Sequence, residues 1–125
     1  MGTVAPYFFD TYAFFELIRG NKNYDPYKKG AIVITTRLNL MELYYGLLLK
    51  KGKTTAEAYY DRFLPYAVEP SDDLIKKASQ LKALFKTKRL SYIDCVGYML
   101  ARHHRIPFLT GDQGFKDMEG VQFVR

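Results

Sequence analysis

The sequence predicts an α/β protein with a central, mainly parallel sheet and helices on both faces. Short apolar runs, aromatic or β-branched, alternate with longer segments of helical period. Strands separated by helices imply βαβ units, parallel pairing and right-handed crossovers. One run, Ala31-Ile32-Val33-Ile34-Thr35, is apolar almost throughout, as expected of a strand covered on both faces. At 125 residues, with 48% hydrophobic and 26% charged side chains, the chain has the composition of a globular protein with one core. One domain over residues 1–125 is expected.

The elements follow in order. Tyr7-Phe8-Phe9, after a proline, reads as the start of a buried strand. Past Asp10-Thr11, the residues Tyr12, Phe15, Leu17 and Ile18 recur at helical spacing until Gly20. Residues 23–30 are turn-rich, with a short helix expected around Asp25-Pro26. After the second strand, a helix over residues 37–50 is apolar almost all round, which predicts burial or an interface. A third helix, 54–64, stops near Pro65, and Tyr66-Ala67-Val68 reads as a further short strand. Ser71 is an N-cap for a helix whose stripe is Leu74, Ile75, Ala78, Leu81 and Phe85. Ser91 opens a helix to about His104; Pro107–Thr110 is a strand; residues 111–114 turn; residues 121–124 form a last strand.

Composition excludes several classes. A single cysteine, Cys95, allows neither an internal disulfide nor a thiolate-rich zinc site. The first six residues lack the basic n-region of a signal peptide, and no apolar run reaches the roughly 20 residues that span a bilayer. A cytoplasmic protein without membrane contact is expected. The net charge of +6 favours a polyanionic partner, although a positive surface also serves solubility.

Four acids stand out by position. Asp10 and Asp112 each fall just past the carboxyl end of a strand. Asp94 lies in the first turn of its helix, and Glu42 a turn or two into the helix after the second strand, sharing a narrow polar strip with Asn39, Tyr45 and Gly46. Each has an ordinary alternative: Asp10 as an N-cap, Asp94 as the acid of a capping box with Ser91, Asp112 as a turn residue, and Glu42 as a solvated side chain. Gly97 and Ala101, on the face of Asp94, are expected to leave space beside it. In a doubly wound sheet the ligand crevice lies beyond the carboxyl ends of the strands, where all four can converge. Two unit charges about 4 Å apart at an effective dielectric of about 20 repel by about 4 kcal/mol, so such a gathering requires a cation. All-oxygen donors favour a hard ion, Mg²⁺ or Mn²⁺.

With these four set aside, the 19 basic residues exceed the remaining acids by 10. An acidic pocket in a basic surface suits a metal-dependent nuclease, the surface gathering phosphates and the pocket acting on one of them. Lys88 and Arg89, before Asp94, and Arg102 and Arg105, beyond its helix, are candidate contacts to the phosphate backbone. His103-His104 at a helix C-terminus reads as solvated or paired with the helix dipole.

Taken in order, Phe8-Phe9-Asp10-Thr11, Asn39-Leu40-Met41-Glu42-Leu43, Ser91-Tyr92-Ile93-Asp94-Cys95 and Leu109-Thr110-Gly111-Asp112-Gln113-Gly114-Phe115 resemble the PIN-domain nucleases, and most of all the small VapC toxins of prokaryotic toxin–antitoxin pairs. The likeness spans essentially the whole chain. It implies a PIN-like three-layer α/β/α sandwich and a ribonuclease cutting single-stranded or loop RNA. Asp10, Glu42, Asp94 and Asp112 would be its catalytic, metal-binding acids, holding one or two Mg²⁺ or Mn²⁺ ions. Thr110 would orient the last acid or a metal-bound water, and Thr11 would be a second supporting hydroxyl. A homodimer and a cognate antitoxin protein are the implied partners.

Other classes stay open on the sequence alone. A haloacid-dehalogenase-type phosphotransferase would need an acid two residues after Asp10, where Tyr12 stands. A PIN-like module that binds RNA or protein without cutting, and a processing nuclease outside any toxin–antitoxin system, would carry the same residues.

Overall fold

A computed structural model describes residues 4–125. Four strands, β1 (Ala5–Phe9), β2 (Ala31–Ile34), β3 (Phe108–Thr110) and β4 (Val121–Phe123), form one sheet in the order β2-β1-β3-β4, every pair parallel. Six α-helices connect and cover them: α1 (Thr11–Ile18), α2 (Pro26–Lys29), α3 (Arg37–Lys51), α4 (Lys53–Phe63), α5 (Asp72–Leu84) and α6 (Tyr92–His103).

Strand alternation divides the core in two. Phe8 pairs with Phe108 in register, and the next pair along is Phe9 with Leu109. Successive side chains point to opposite faces of a strand. Phe8 and Phe108 accordingly stack at 5.5 Å between rings and pack with Leu74, Ala78, Val96 and Leu100 of α5 and α6. Phe9 and Leu109 pack on the other face with Phe14, Leu40, Leu43, Leu47 and Phe63 of α1, α3 and α4. The three-layer sandwich follows from this period-two inversion of four apolar residues.

From β1 the chain crosses to β2 on one side, and β3 later enters on the other, so the order reverses between β1 and β3. This is the topological switch point, where a crevice opens beyond the carboxyl ends of the strands. Asp10 leaves β1 there, and Asp112 follows β3 two residues past Thr110.

Some expectations need correction. β2 is an edge strand, and Ile32 is 49% exposed rather than covered. Residues 66–68 contribute one parallel bridge, Thr35 with Ala67, because a 3-10 turn (Leu64–Tyr66) takes up the chain before it and Pro70 follows closely. α4 begins at Lys53, directly after Gly52, whose φ of 90° breaks the helical path. Ile75 is exposed, while Leu74 and Ala78 carry the buried stripe of α5. Gly97 leaves no space beside Asp94: a Cβ there would stand 2.7 Å from the Phe8 ring, so the glycine seats the core aromatics. α3 buries Leu40, Leu43 and Leu47, while Leu38, Met41, Tyr45, Leu48 and Leu49 are exposed. Among the described residues no helix is long and apolar enough to cross a membrane.

Candidate active site

Asp10, Glu42, Asp94 and Asp112 line one pocket at the switch point, together with Thr11, Tyr12, Phe15, Tyr45 and Ser91. Each acid is held by different local chemistry. Asp10 occupies the N-cap position of α1, yet its side chain makes no capping hydrogen bond. Its Oδ2 accepts from the Thr110 hydroxyl at 2.7 Å, and its Oδ1 is buried without a partner. Leaving a carboxylate oxygen buried and unpaired is costly unless a proton or a cation meets it. Burial above all, then Asp94, push the Asp10 pKa up to about 8 against the opposing Thr110 hydrogen bond.

Asp94 does make the capping box. Ser91 N donates to its Oδ2 at 2.9 Å, and its own N–H donates to Ser91 Oγ at 3.0 Å. The cap and the site reading coexist, since the cap occupies one carboxylate oxygen. Burial raises the Asp94 pKa despite the Ser91 bonds; Asp112 adds to the rise and Lys82 opposes it. Asp112 Oδ1 accepts from Gly114 N at 2.9 Å, the turn contact expected of it, and its N–H donates to Thr110 Oγ1 at 3.1 Å. Thr110 thus ties the last acid's backbone to the first acid's side chain, rather than orienting the Asp112 carboxylate.

Glu42 is half-buried and positioned by a chain of hydrogen bonds with one polarity. Thr36, the N-cap of α3, donates to Asn39 Oδ1 at 2.6 Å. Asn39 Nδ2 donates to Thr11 Oγ1 at 3.1 Å, leaving the Thr11 proton for Glu42 Oε1 at 2.6 Å. Burial raises the Glu42 pKa, with Asp94 adding to the rise against the Thr11 bond. Asn39 and Tyr45 were legible as neighbours of Glu42 on the helix wheel. Ser91 carried the signal of a helix cap alone, Thr36 drew no reading of its own, and nothing in the spacing marked Tyr12 or Phe15 as pocket residues.

The acids face one another across an open pocket. Among the described residues no three His, Cys, Asp or Glu side chains form a ready-made cage for one ion. The donor set nevertheless fits Mg²⁺ or Mn²⁺, because Mg²⁺ is commonly held by one or two carboxylates and keeps several waters. The orphaned Asp10 Oδ1 is the atom such an ion would satisfy.

The four basic candidates do not share one place. Lys88 and Arg89 precede the Asp94 helix, and the backbone oxygen of Lys88 abuts Gly114 of the Asp112 turn. Arg102 and Arg105 stand at the other end of α6, where they line a cavity with Pro107 and Val121 at the amino ends of β3 and β4. Eight residues of helix put Arg102 about 12 Å along the axis from Asp94. Arg102 pairs there with Glu119 at 3.2 Å. His103 and His104 are exposed at the same remote end, edge-to-face on each other.

Solved structures share this fold. VapC20 of Mycobacterium tuberculosis, described as a toxin cleaving the sarcin–ricin loop, is similar at a TM-score of 0.74 and 20% identity, over 95% of this chain and 99% of that one. A toxin–antitoxin complex from Klebsiella pneumoniae is similar at 0.73 and 19% identity, over 92% and 94%. VapBC2 of Rickettsia felis, bound to a DNA fragment from its promoter, is similar at 0.71 and 18% identity, over 96% and 99%. A comparison with curated protein sequences gave no match. Residues 7–121 match the sequence model of the PIN domain, a span that runs from β1 into β4 and takes in all four acids. The chain belongs to the PIN-domain family.

Proposed function

We propose that the protein is a divalent-metal-dependent ribonuclease cutting single-stranded or loop RNA, and the toxin of a toxin–antitoxin pair. The observation that carries this reading is Asp10 Oδ1, buried and unpartnered in a pocket lined by three more carboxylates. A bound Mg²⁺ or Mn²⁺ would supply Lewis acidity at the phosphate and a better nucleophile from water near neutral pH.

The chain's own residues divide the work. Asp10 and Asp94 would hold the main ion, with Asp112 completing its surroundings directly or through water. Glu42, aligned by Thr11, would orient the attacking water and take its proton, or help hold a second ion. Thr110 keeps Asp10 from rotating away. In-line attack at phosphorus would leave a 5′-phosphate and a 3′-hydroxyl. Lys88 and Arg89, just before the Ser91–Asp94 cap with the Lys88 backbone beside the Asp112 turn, would hold the RNA backbone, whereas Arg102 and Arg105 could reach only distant nucleotides.

The similarity to VapBC complexes supports an antitoxin as partner. The exposed apolar side chains of α3 support a homodimer through that helix. Both fit a protein working in the cytoplasm, where RNA and antitoxin are at hand.

Incubating the purified chain with a defined RNA, with Mg²⁺, with Mn²⁺ and with EDTA, tests the reading. Cleavage with either ion, none in EDTA, and 5′-phosphate ends on the fragments are expected. Undiminished cleavage in EDTA, or none with either ion, would contradict it. Growth arrest on expression, relieved by Asp94→Asn, tests the toxin assignment.

A further inference from the structure

Another cavity, of about 410 Å³, lies at the N-terminus of α6. Its walls include Lys82, Phe85, Lys86, Leu90 and Tyr92. Ser91 lines the acid pocket while its neighbours Leu90 and Tyr92 line this cavity, so consecutive residues of the chain lead from one to the other.

The lining has an unusual character for a surface of this molecule. Tyr92 is 70% exposed at the first position of α6, although nothing in the core requires an aromatic there. Lys82 Nζ sits 4.9 Å from the centre of its ring and donates to the Leu90 carbonyl at 2.6 Å. An ammonium has three protons, so Lys82 keeps donors free while its stem and the Leu90 carbonyl fix its place. Lys82 is near enough to Asp94 to act on its charge. Lys86 is exposed on the same wall, and Lys88 lies 5.9 Å from the Phe85 ring.

An exposed aromatic ring with one anchored ammonium over it and a second, exposed ammonium on the same wall is a combination that holds an unpaired nucleotide, the ring stacking a base and the cations meeting the phosphates. A duplex cannot offer a base to such a ring, because its bases are already stacked.

We propose that this cavity is a nucleotide subsite for the single-stranded RNA flanking the cut: a base stacks on Tyr92 while Lys82 and Lys86 hold the adjoining phosphates. The assignment rests on the ribonuclease reading above and adds to it where the strand lies. RNA leaving the acid pocket passes over Ser91 into the cavity. The preference for unpaired RNA then arises from the need to turn one base out onto Tyr92.

Binding tests the subsite separately from cleavage. The full chain carrying Asp10→Asn, in Mg²⁺, is titrated into a short fluorescein-labelled single-stranded RNA and followed by anisotropy. Tyr92→Ala is expected to weaken binding about fivefold or more, the loss of one base–aromatic stack, while Tyr92→Phe keeps the parent affinity. Lys86→Ala should reduce the slope of log affinity against log salt by about 0.7, as one lost phosphate contact does on a single strand. Tyr92 and Lys86 are exposed, so unchanged melting temperatures should accompany these losses. Parent affinity in Tyr92→Ala together with an unchanged salt slope in Lys86→Ala would overturn the proposal, as would no binding by the Asp10→Asn chain. If these losses appear while the unmutated chain cuts no RNA with any metal, the subsite stands and the nuclease reading falls.

Discussion

Thr110 donates its hydroxyl proton to Asp10 Oδ2 at 2.7 Å, across one hundred residues of sequence. Thr110 Oγ1 in turn accepts the Asp112 N–H at 3.1 Å. One buried hydroxyl therefore couples the ends of β1 and β3 and sets the rotamer of the most buried acid. Thr110→Val keeps the shape and removes the proton. Partners that orient metal-binding groups typically contribute 10- to 100-fold, and a loss of about that size in kcat is expected, with Thr110→Ser restoring most of it. Steady-state cleavage kinetics of the two variants measure this.

The Asp10 pKa sets a pH dependence of stability in the metal-free protein. An unfolded Asp loses its proton near 4, whereas Asp10 in the fold holds it to about 8. Between those values the native state carries a proton the unfolded state lacks, so stability falls as pH rises through the window. The slope is at most about 1.4 kcal/mol per unit from this group. Glu42 and Asp94, also raised, act with the same sign. Urea unfolding in EDTA should give a higher midpoint near about pH 5 than about pH 8, and Asp10→Asn should flatten the trend. Added Mg²⁺ should stabilise more at the higher pH, where it no longer competes with the proton.

Glu42 depends on Thr11 within the pocket and, through it, on residues behind the pocket. Asn39 is fully buried and joins Thr36 to Thr11. Asn39→Ala leaves two buried hydroxyls short of a partner and is expected to destabilise by about 1–3 kcal/mol by urea unfolding. Thr11→Val removes the donor to Glu42 itself. It should depress cleavage most at low pH, where Glu42 without that bond keeps its proton, and Thr11→Ser should restore the parent pH profile.

Close packing at Gly97 gives a purely structural prediction. A methyl there would press on the Phe8 ring and stand 3.3 Å from Phe108. Gly97→Ala is expected to lower stability by about 1–3 kcal/mol, the usual cost of overpacking, without removing any side chain of the site. A thermal melt with no loss would contradict the packing described.

Much of this architecture was readable because neighbouring residues do opposite things. Phe8 and Phe9 must face opposite layers in any strand, and α6 shows its cap, its acid and its buried stripe in one uninterrupted run. The meeting of the four acids in one pocket was legible from Asp10 and Asp112 after strands, Asp94 in a first turn and Glu42 a turn or two into its helix. What escaped depends on contacts between distant segments. Gly97 reads as empty space until Phe8 is known to lie over it. Thr36 looks like an ordinary cap until Asn39 hands its hydrogen bond to Thr11. Arg102 and Arg105 follow Asp94 closely in the chain, yet a helix converts that interval into distance, which a count of basic residues does not register. The exposure of Ile32 was hidden for a related reason: an apolar run does not reveal that its strand lies at the edge.

Calorimetric titration of Mg²⁺ into the metal-free chain near neutral pH tests the gathering of carboxylates most directly. Saturable binding of one or two ions, with protons released as Asp10 ionises and with binding lost in Asp10→Asn and Asp94→Asn, is the predicted result. Absence of binding, or equal binding by the parent and both variants, would contradict it.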